Sequence, residues 1–413
     1  MSAPTANRSV GVAEIERAAE TIRGPVRETP IVAAGEVSRR VGATVTLKTE
    51  NLQRTGSFKV RGALNRIAAM SRDQLAGGVV AASAGNHAQG VAVAARAHRT
   101  RAVLYMPEAA PIAKIEAVRG YGGQVRLVPG TFDDAAAASR EAAEREGLTL
   151  IHAFDDPIVL AGQGTVGLEI AAQAPRTSMV VVAVGGGALA AGTAIAIKDR
   201  LPAVRVIGVQ SDVCAPYPPS LAARQPIGAR SANTICDGIA VKRPGELTLP
   251  LVSEFVDEVV TVSDDDVAQA MVLLLERSKL VVEGAGAASV AALLAGKLEP
   301  PAGGEVCAVL SGGNVDAARL VECIRLGETA AGRRLAFSTV IPDRPGALAG
   351  LVGTVAGQGA NVLDVVHLRE GVDLHVRETG IRLVLQTDGA EHCERILAAV
   401  RAQGFAVRPE SAE

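Results

Sequence analysis

Lys59 stands in the run Ser57-Phe58-Lys59-Val60-Arg61-Gly62-Ala63, with the turn formers Thr55, Gly56 and Ser57 before it and an apolar helical pattern behind. An isolated lysine is normally a solvated surface group. One aimed into a cleft from a helix start loses solvation, and the lowered pKa suits an amine that forms Schiff bases. A second cluster, Ser83-Ala84-Gly85-Asn86-His87-Ala88-Gln89-Gly90, follows the strand-like Val79–Ala82 and opens another helical run. The unpaired N–H groups at such a helix start suit a carboxylate or a phosphate. A plain Asn-capped turn explains the glycine and the asparagine there, but leaves His87 and Gln89 without a reason. The third cluster, Gly185-Gly186-Gly187-Ala188-Leu189, again lies between an apolar run and a helical one. Consecutive glycines let backbone amides fold around a phosphate without obstruction. The pattern is neither G-x-G-x-x-G nor a loop ending in Gly-Lys-Ser/Thr, so it indicates neither a dinucleotide nor a nucleoside triphosphate. A fourth, Leu310-Ser311-Gly312-Gly313-Asn314, reads by itself as an ordinary strand-ending turn.

The elements that must position these clusters alternate. Val79-Val80 precedes a helix to Arg96, Ala102–Met106 a helix around Ile112–Arg119, Val125–Val128 the run Phe132–Glu146, and Met179–Val184 the run Leu189–Asp199. Strands alternating with helices of this length predict right-handed βαβ units and mainly parallel sheets, an α/β protein. Ser263 followed by three aspartates is a helix start with acids at the positive dipole end, and that helix is expected to run to about Lys279. From Gly327 the texture changes. Leu335–Ile341, Asn361–Leu368, Thr379–Thr387 and Phe405–Val407 read as strands, Ala347–Gly357 and Ala390–Gln403 as helices. The order βαββαβ is the ferredoxin-like α+β arrangement.

The 413 residues exceed one ordinary core, so two or three domains are expected. Aromatics make up 2% and Trp is absent, which leaves Ala, Val, Leu and Ile to fill the interior. Forty-two basic residues nearly balance 44 acidic ones, and no polybasic stretch occurs, which argues against a nucleic-acid partner. The five cysteines are odd in number and lack a C-x-x-C pair, as expected of thiols in a reducing compartment. Met1–Arg17 has no apolar signal core, and the uncharged run Thr177–Ile197 is interrupted by Gly185, Gly186, Gly187 and Gly192. It reads as strand, turn and helix rather than a membrane span, and the chain as cytoplasmic.

Taken together, the four clusters resemble the fold-type-II pyridoxal-phosphate (PLP) enzymes, specifically the threonine dehydratase (threonine ammonia-lyase) and serine racemase family. The resemblance covers roughly Arg17–Leu326, and S-F-K-x-R-G-A with S-A-G-N-H-A-Q-G carries most of its specificity. Thr234–Val241 and Glu283–Ala287 are similar to segments of the same family. The resemblance implies a two-lobed, tryptophan-synthase-β-like catalytic region over residues 1–326, its small lobe (about 51–153) inserted in the large one. It implies that Lys59 carries PLP and that the amides of Gly185, Gly186, Gly187, Ala188 and Leu189 hold the phosphate. Asn86 should bond the ring's phenolic oxygen, Phe58 pack near the cofactor, and Ser311 face the pyridine nitrogen. Ser83, Ala84, Gly85, Asn86 and His87 form the loop expected to grip the substrate carboxylate. The usual fourth glycine of the phosphate loop is Ala188 here.

The implied reaction is α,β-elimination on L-threonine to 2-oxobutanoate and ammonia, with Lys59 taking the α-proton, and on L-serine to pyruvate. A serine at the pyridine nitrogen stabilises a pyridinium poorly, which favours fast elimination over transamination. Racemases of this family resemble Ser-Ser-Gly-Asn-His in the carboxylate loop, and Ala84 has no proton to give, so the lyase is preferred. Serine racemase and hydroxyaspartate ammonia-lyase remain the alternatives on this fold, and a non-catalytic amino-acid sensor the alternative outside it. The family's divalent-metal carboxylate is replaced by Gln210, with Asp212 nearby, so no required divalent ion is expected. After a linker at 327–334, residues 335–413 resemble an ACT domain, the regulatory module of amino-acid metabolism. Asp343-Arg344-Pro345-Gly346-Ala347-Leu348 would then bind a branched-chain effector, as in isoleucine biosynthesis, or serve subunit contact alone. Paired modules imply a homo-oligomer, dimer or tetramer.

Overall fold

The computed structural model describes residues 10–301, 303–369 and 374–410, so most of the N-terminal stretch read for a signal segment lies outside the described residues. The chain divides at Ala317/Ala318 into two compact units. The first is built on two sheets. The larger runs, in spatial order, Ile31–Ala33, Thr44–Thr49, Glu305–Leu310, Thr177–Ala183, Arg205–Ser211 and Glu258–Val262. Only its first pair is antiparallel. Thr177–Ala183 and Glu305–Leu310 are almost wholly buried, which is why they read as unbroken apolar runs rather than alternating ones.

Between Thr49 and Thr177 the chain leaves this sheet and builds a second, all-parallel one. Its order is Gln124–Val128, Ala102–Pro107, Val79–Ala82 and Thr149–Leu150. Helices Lys59–Ala68 and Asn86–Ala97 pack Val60, Leu64, Ile67 and Val91 against Val79, Ala81, Leu104 and Met106. Phe132–Glu146 covers the other face with Ala135 and Ala142 against Val80 and Val103. The expected α/β class and strand–helix pairs are present. Phe132–Glu146 has the boundaries read from the sequence because both ends are written locally. Asp134 accepts from the Thr131 N–H at 2.6 Å, and Gly147 ends the helix at φ 64.

The helix after Ser263 ends where expected, but its last turn is not α-helical. It is α-helical over Asp264–Leu273, widens to a π-turn over Leu274–Ser278, and stops at Lys279, a non-glycine at φ 58. The run Thr177–Ile197 is strand, turn and helix as read, and no helix among the described residues is long and apolar enough to cross a membrane. No disulfide joins any of the five cysteines.

The second unit begins within helix Ala317–Ala330, which occupies the first half of the expected 327–334 linker, so the boundary lies earlier than composition suggested. The linker shrinks to a short turn at Gly332, φ 65, before strand Arg334–Pro342. The sheet order Asn361–Leu368, Glu378–Gln386, Arg334–Pro342, Val407–Pro409 is fully antiparallel, backed by Ala347–Gly357 and Ala390–Ala402. This is the ferredoxin-like arrangement read from the sequence. The last strand is shifted two residues onward: Phe405 turns into the core after Gly404 (φ 85), and pairing starts at Thr339↔Val407.

Candidate active site

Lys59 is the first residue of its helix, where the chain has just turned back from the segment at Gly56. A buried ionic cluster fixes that helix. Arg61, 1% exposed, donates to both oxygens of Glu50 at 2.7 and 2.8 Å and to both of Glu169 at 2.6 and 2.9 Å. Lys48 completes it with bonds to Glu169 at 2.6 Å and to the Thr29 carbonyl at 2.6 Å. Two cations and two carboxylates cancel, so the cluster holds the helix, the strand Thr44–Thr49 and the helix Pro157–Gln173 together without a net buried charge. Burial alone would push the Glu50 carboxyl up; Arg61, the Thr29 hydroxyl and Lys48 together outweigh it and hold the group below the usual range.

The Lys59 amine lies 5.2 Å from the centroid of the Phe58 ring and donates to the Ala153 carbonyl at 3.1 Å. Desolvation brings its pKa down to about 8, against a smaller opposing pull from Glu283. About a tenth of it is therefore the neutral nucleophile at pH 7, far more than for a solvated lysine. His87 lies in the same region with its Nε2 at 2.9 Å from the Ile151 carbonyl. Burial first, and the Lys59 charge second, push its pKa down to about 3, so it is a neutral imidazole.

The second and fourth clusters meet here. Asn314 Nδ2 donates to the Thr55 carbonyl and to Asn86 Oδ1, both at 2.7 Å, and Asn86 Nδ2 donates to Glu283 Oε1 at 2.7 Å. Asn86 is thus held by both ends of its amide. Gly56 (φ 69) passes so close to Asn314 that any Cβ would overlap its carboxamide. Ser83 Oγ accepts from the Gly85 N–H at 3.1 Å, Ala84 packs against the small-lobe core, and Gly85 opens toward Lys114. Ser311, 3% exposed, donates weakly at 3.3 Å to the Ala285 carbonyl, while its own carbonyl accepts from the Phe58 N–H.

The third cluster is a turn between Thr177–Ala183 and helix Ala188–Arg200, with Gly187 left-handed (φ 97) as the N-cap. The N–H groups of Gly185, Gly186 and Gly187 find no acceptor among the described residues, and those of Ala188 and Leu189 open the helix. A side chain at Gly186 would collide with the Phe154 ring, and one at Gly187 with the Tyr217 hydroxyl.

Sequence reasoning passed over several participants. Glu283 opens the segment Glu283–Ala287 without a motif of its own to mark it. It is 4% exposed, and burial with the neighbouring Asp237 raises its pKa to about 7 against the pull of Asn86, Lys114 and Lys59. Lys114 and Asp237 pair at 2.5 Å beside Gly85. Segment 152–155 links the two ends of the site: Ala153 receives Lys59, Phe154 covers Gly186, and Asp155 caps helix Thr248–Phe255 at the N–H groups of Glu246, Leu247 and Thr248. Gln210, at the position compared with a metal carboxylate, is spent on protein bonds to the Val184 carbonyl and the Tyr217 N–H. No cluster of three His, Cys, Asp or Glu fit to hold a metal occurs among the described residues.

A desolvated lysine amine and a nest of free backbone donors, linked through the adjacent residues Ala153 and Phe154, fit an aldehyde cofactor with an anionic tail. Residues 22–312 match the family model described as "Pyridoxal-phosphate dependent enzyme", and the chain belongs to that family. Its cofactor is PLP and the fold is that of the fold-type-II enzymes. The chain is 44% identical over 395 residues to the L-threonine ammonia-lyase of Thermotoga maritima, covering 96% of this chain and 98% of that one. The Geobacter sulfurreducens L-threonine ammonia-lyase is 42% identical over 95% of this chain and 98% of its own. Among solved structures, maize serine racemase superposes with a TM-score of 0.73 at 33% identity, covering 76% of this chain and 96% of the other.

Proposed function

We propose that this chain is a threonine ammonia-lyase, converting L-threonine to 2-oxobutanoate and ammonia, and L-serine to pyruvate by the same route. The observation that carries the reading is the Lys59 amine, desolvated to a pKa of about 8 and aligned by the Phe58 ring and the Ala153 carbonyl. Bound PLP supplies the electron sink that acidifies the α-carbon of the amino acid joined to it. The chain's own groups do the rest. Lys59, once released, accepts the α-proton on its Nζ. The backbone of Ser83–His87, at the start of helix Asn86–Ala97, receives the substrate carboxylate, and the amides of Gly185–Leu189 receive the cofactor phosphate. The Asn86 carboxamide, held at both ends, would hold the phenolic oxygen, and the Ser311 hydroxyl would stand at the pyridine nitrogen. Neutral His87 adds no second cation near Lys59, which keeps the amine basic enough to take the proton but free to lose its own.

Structural likeness to a serine racemase calls for a second reading, and position 84 counts against it. Ala84 presents a methyl where a racemase needs a second acid–base group. In the C-terminal unit, which we read as an ACT domain, Asp343–Leu348 lies at a strand-to-helix junction with Gly346 left-handed (φ 87) at the N-cap. That geometry supports a carboxylate-binding role for an effector such as isoleucine or valine. Leu363 and Val365 are exposed on the edge strand Asn361–Leu368, which supports pairing of two such units in a cytoplasmic homo-oligomer. Oxo-acid release from L-threonine, L-serine and hydroxyaspartate, with and without isoleucine, tests the proposal. Turnover of L-threonine fastest of the three is the expected result, and racemisation of serine without oxo acid would refute it.

A further inference from the structure

The carbonyl of Gly186 is gripped from behind. Thr248 Oγ1 donates to it at 2.6 Å and the Tyr217 hydroxyl lies 3.1 Å from it. The two hydroxyls are themselves 3.1 Å apart, so two protons are shared among three contacts. The shortest belongs to Thr248, which is the committed donor; Tyr217 supports the carbonyl directly or through the Thr248 oxygen. Tyr217 and Thr248 are fully buried, and burial raises the phenol's pKa, so the hydroxyl stays a donor.

Each partner is fixed in turn. Gln210, also fully buried, takes the Tyr217 N–H on its Oε1 at 2.9 Å and donates from Nε2 to the Val184 carbonyl at 3.0 Å. Asp155 accepts from the N–H of Thr248 at 3.3 Å and of Leu247 at 3.0 Å. A peptide unit is planar and here trans, so its C=O and N–H point in opposite directions. Holding the Gly186 oxygen outward therefore turns the Gly187 N–H inward, beside the free N–H groups of Ala188 and Leu189. Glycine at 187, at φ 97, allows that peptide to rotate readily, so something must choose its orientation.

We infer that Tyr217 and Thr248 are positioning residues for the cofactor phosphate, setting the Gly186–Gly187 peptide so that the Gly187 N–H faces it. The inference rests on the reading of Gly185–Leu189 as the phosphate cradle. None of the four clusters contains either hydroxyl, and both act through the backbone rather than by touching the ligand.

Titration of the resolved apoenzyme with PLP and with pyridoxal, which lacks the phosphate, tests it. Thr248→Val should weaken PLP binding roughly tenfold, the loss of one well-aligned donor to an anion, while leaving pyridoxal binding within about twofold. The phosphorus NMR resonance of bound PLP should shift in the same variant. Tyr217→Phe should move both readouts in the same direction by less, and Thr248→Ser, which keeps the hydroxyl, should restore wild-type values. Folded Thr248→Val and Tyr217→Phe proteins with unchanged PLP affinity and phosphorus resonance would overturn the inference, as would equal losses for PLP and pyridoxal. If the wild-type protein itself binds pyridoxal as tightly as PLP, the cradle reading beneath it fails instead.

Discussion

Two turns of this molecule have the same plan and opposite construction. Ser83–Gly85 and Gly185–Gly187 each follow a parallel strand and open a helix with free backbone donors. At the second, added Cβ atoms at Gly186 and Gly187 would strike Phe154 and Tyr217, and two buried hydroxyls fix the peptide between them. At the first, Gly85 has an extended φ of −157, and the nearest atom to an added Cβ is the Lys114 amine at 4.0 Å. A cofactor that stays through every cycle can be held by a preset cradle, whereas a substrate that enters and leaves needs a turn with room around it. On the proposed assignment the same helix-start physics serves both ligands, and the packing behind each turn sets them apart.

Gly187→Ala should break the comparison hardest. A left-handed alanine against Tyr217 should cost on the order of a hundredfold in PLP affinity, read by titrating the apoenzyme. Next comes the pH dependence of cofactor capture. Because burial lowers the Lys59 pKa to about 8, the neutral amine declines by about tenfold per pH unit below 8 and saturates above it. The capture rate measured by stopped flow should follow that profile; a rate still rising toward 10.5 would mean a solvated lysine. Asn86→Ala should reduce kcat/KM for threonine roughly tenfold or more, since it leaves the buried Glu283 carboxyl and the Asn314 amide without their shared partner. Gly85→Ala should be the mildest: about twofold to threefold in the KM for threonine, with PLP affinity unmoved, because the methyl enters open space on the substrate side.

The sequence made the fold legible wherever boundaries are written locally. Thr131 with Asp134, Ser263 with Asp266, and the βαββαβ order of the C-terminal unit need only neighbouring residues to be read. The displaced last strand escaped because the packing of Phe405 in the core sets where pairing starts, and the π-turn at Leu274–Ser278 carries no local signal of its own. The lysine and the two turns proposed for carboxylate and phosphate were visible as motifs. Their supports were not. Asn86 and Glu283 lie 197 positions apart, and Thr248 reaches Gly186 across 62. Tyr217, Thr248 and Asp155 are ordinary residues in sequence, and only topology brings them behind the loop. Lys48, Arg61 and Glu50 look like surface charges in composition and are buried because each finds an opposite charge.

The account turns on which amine holds the cofactor. Borohydride reduction of the holoenzyme makes the lysine–cofactor C–N bond permanent, and peptide mass mapping then locates it. The pyridoxyl group should be found on the peptide carrying Lys59 and be absent from it in Lys59→Ala. Its recovery on Lys114 or any other lysine, or an unmodified Lys59 in active protein, would contradict the assignment.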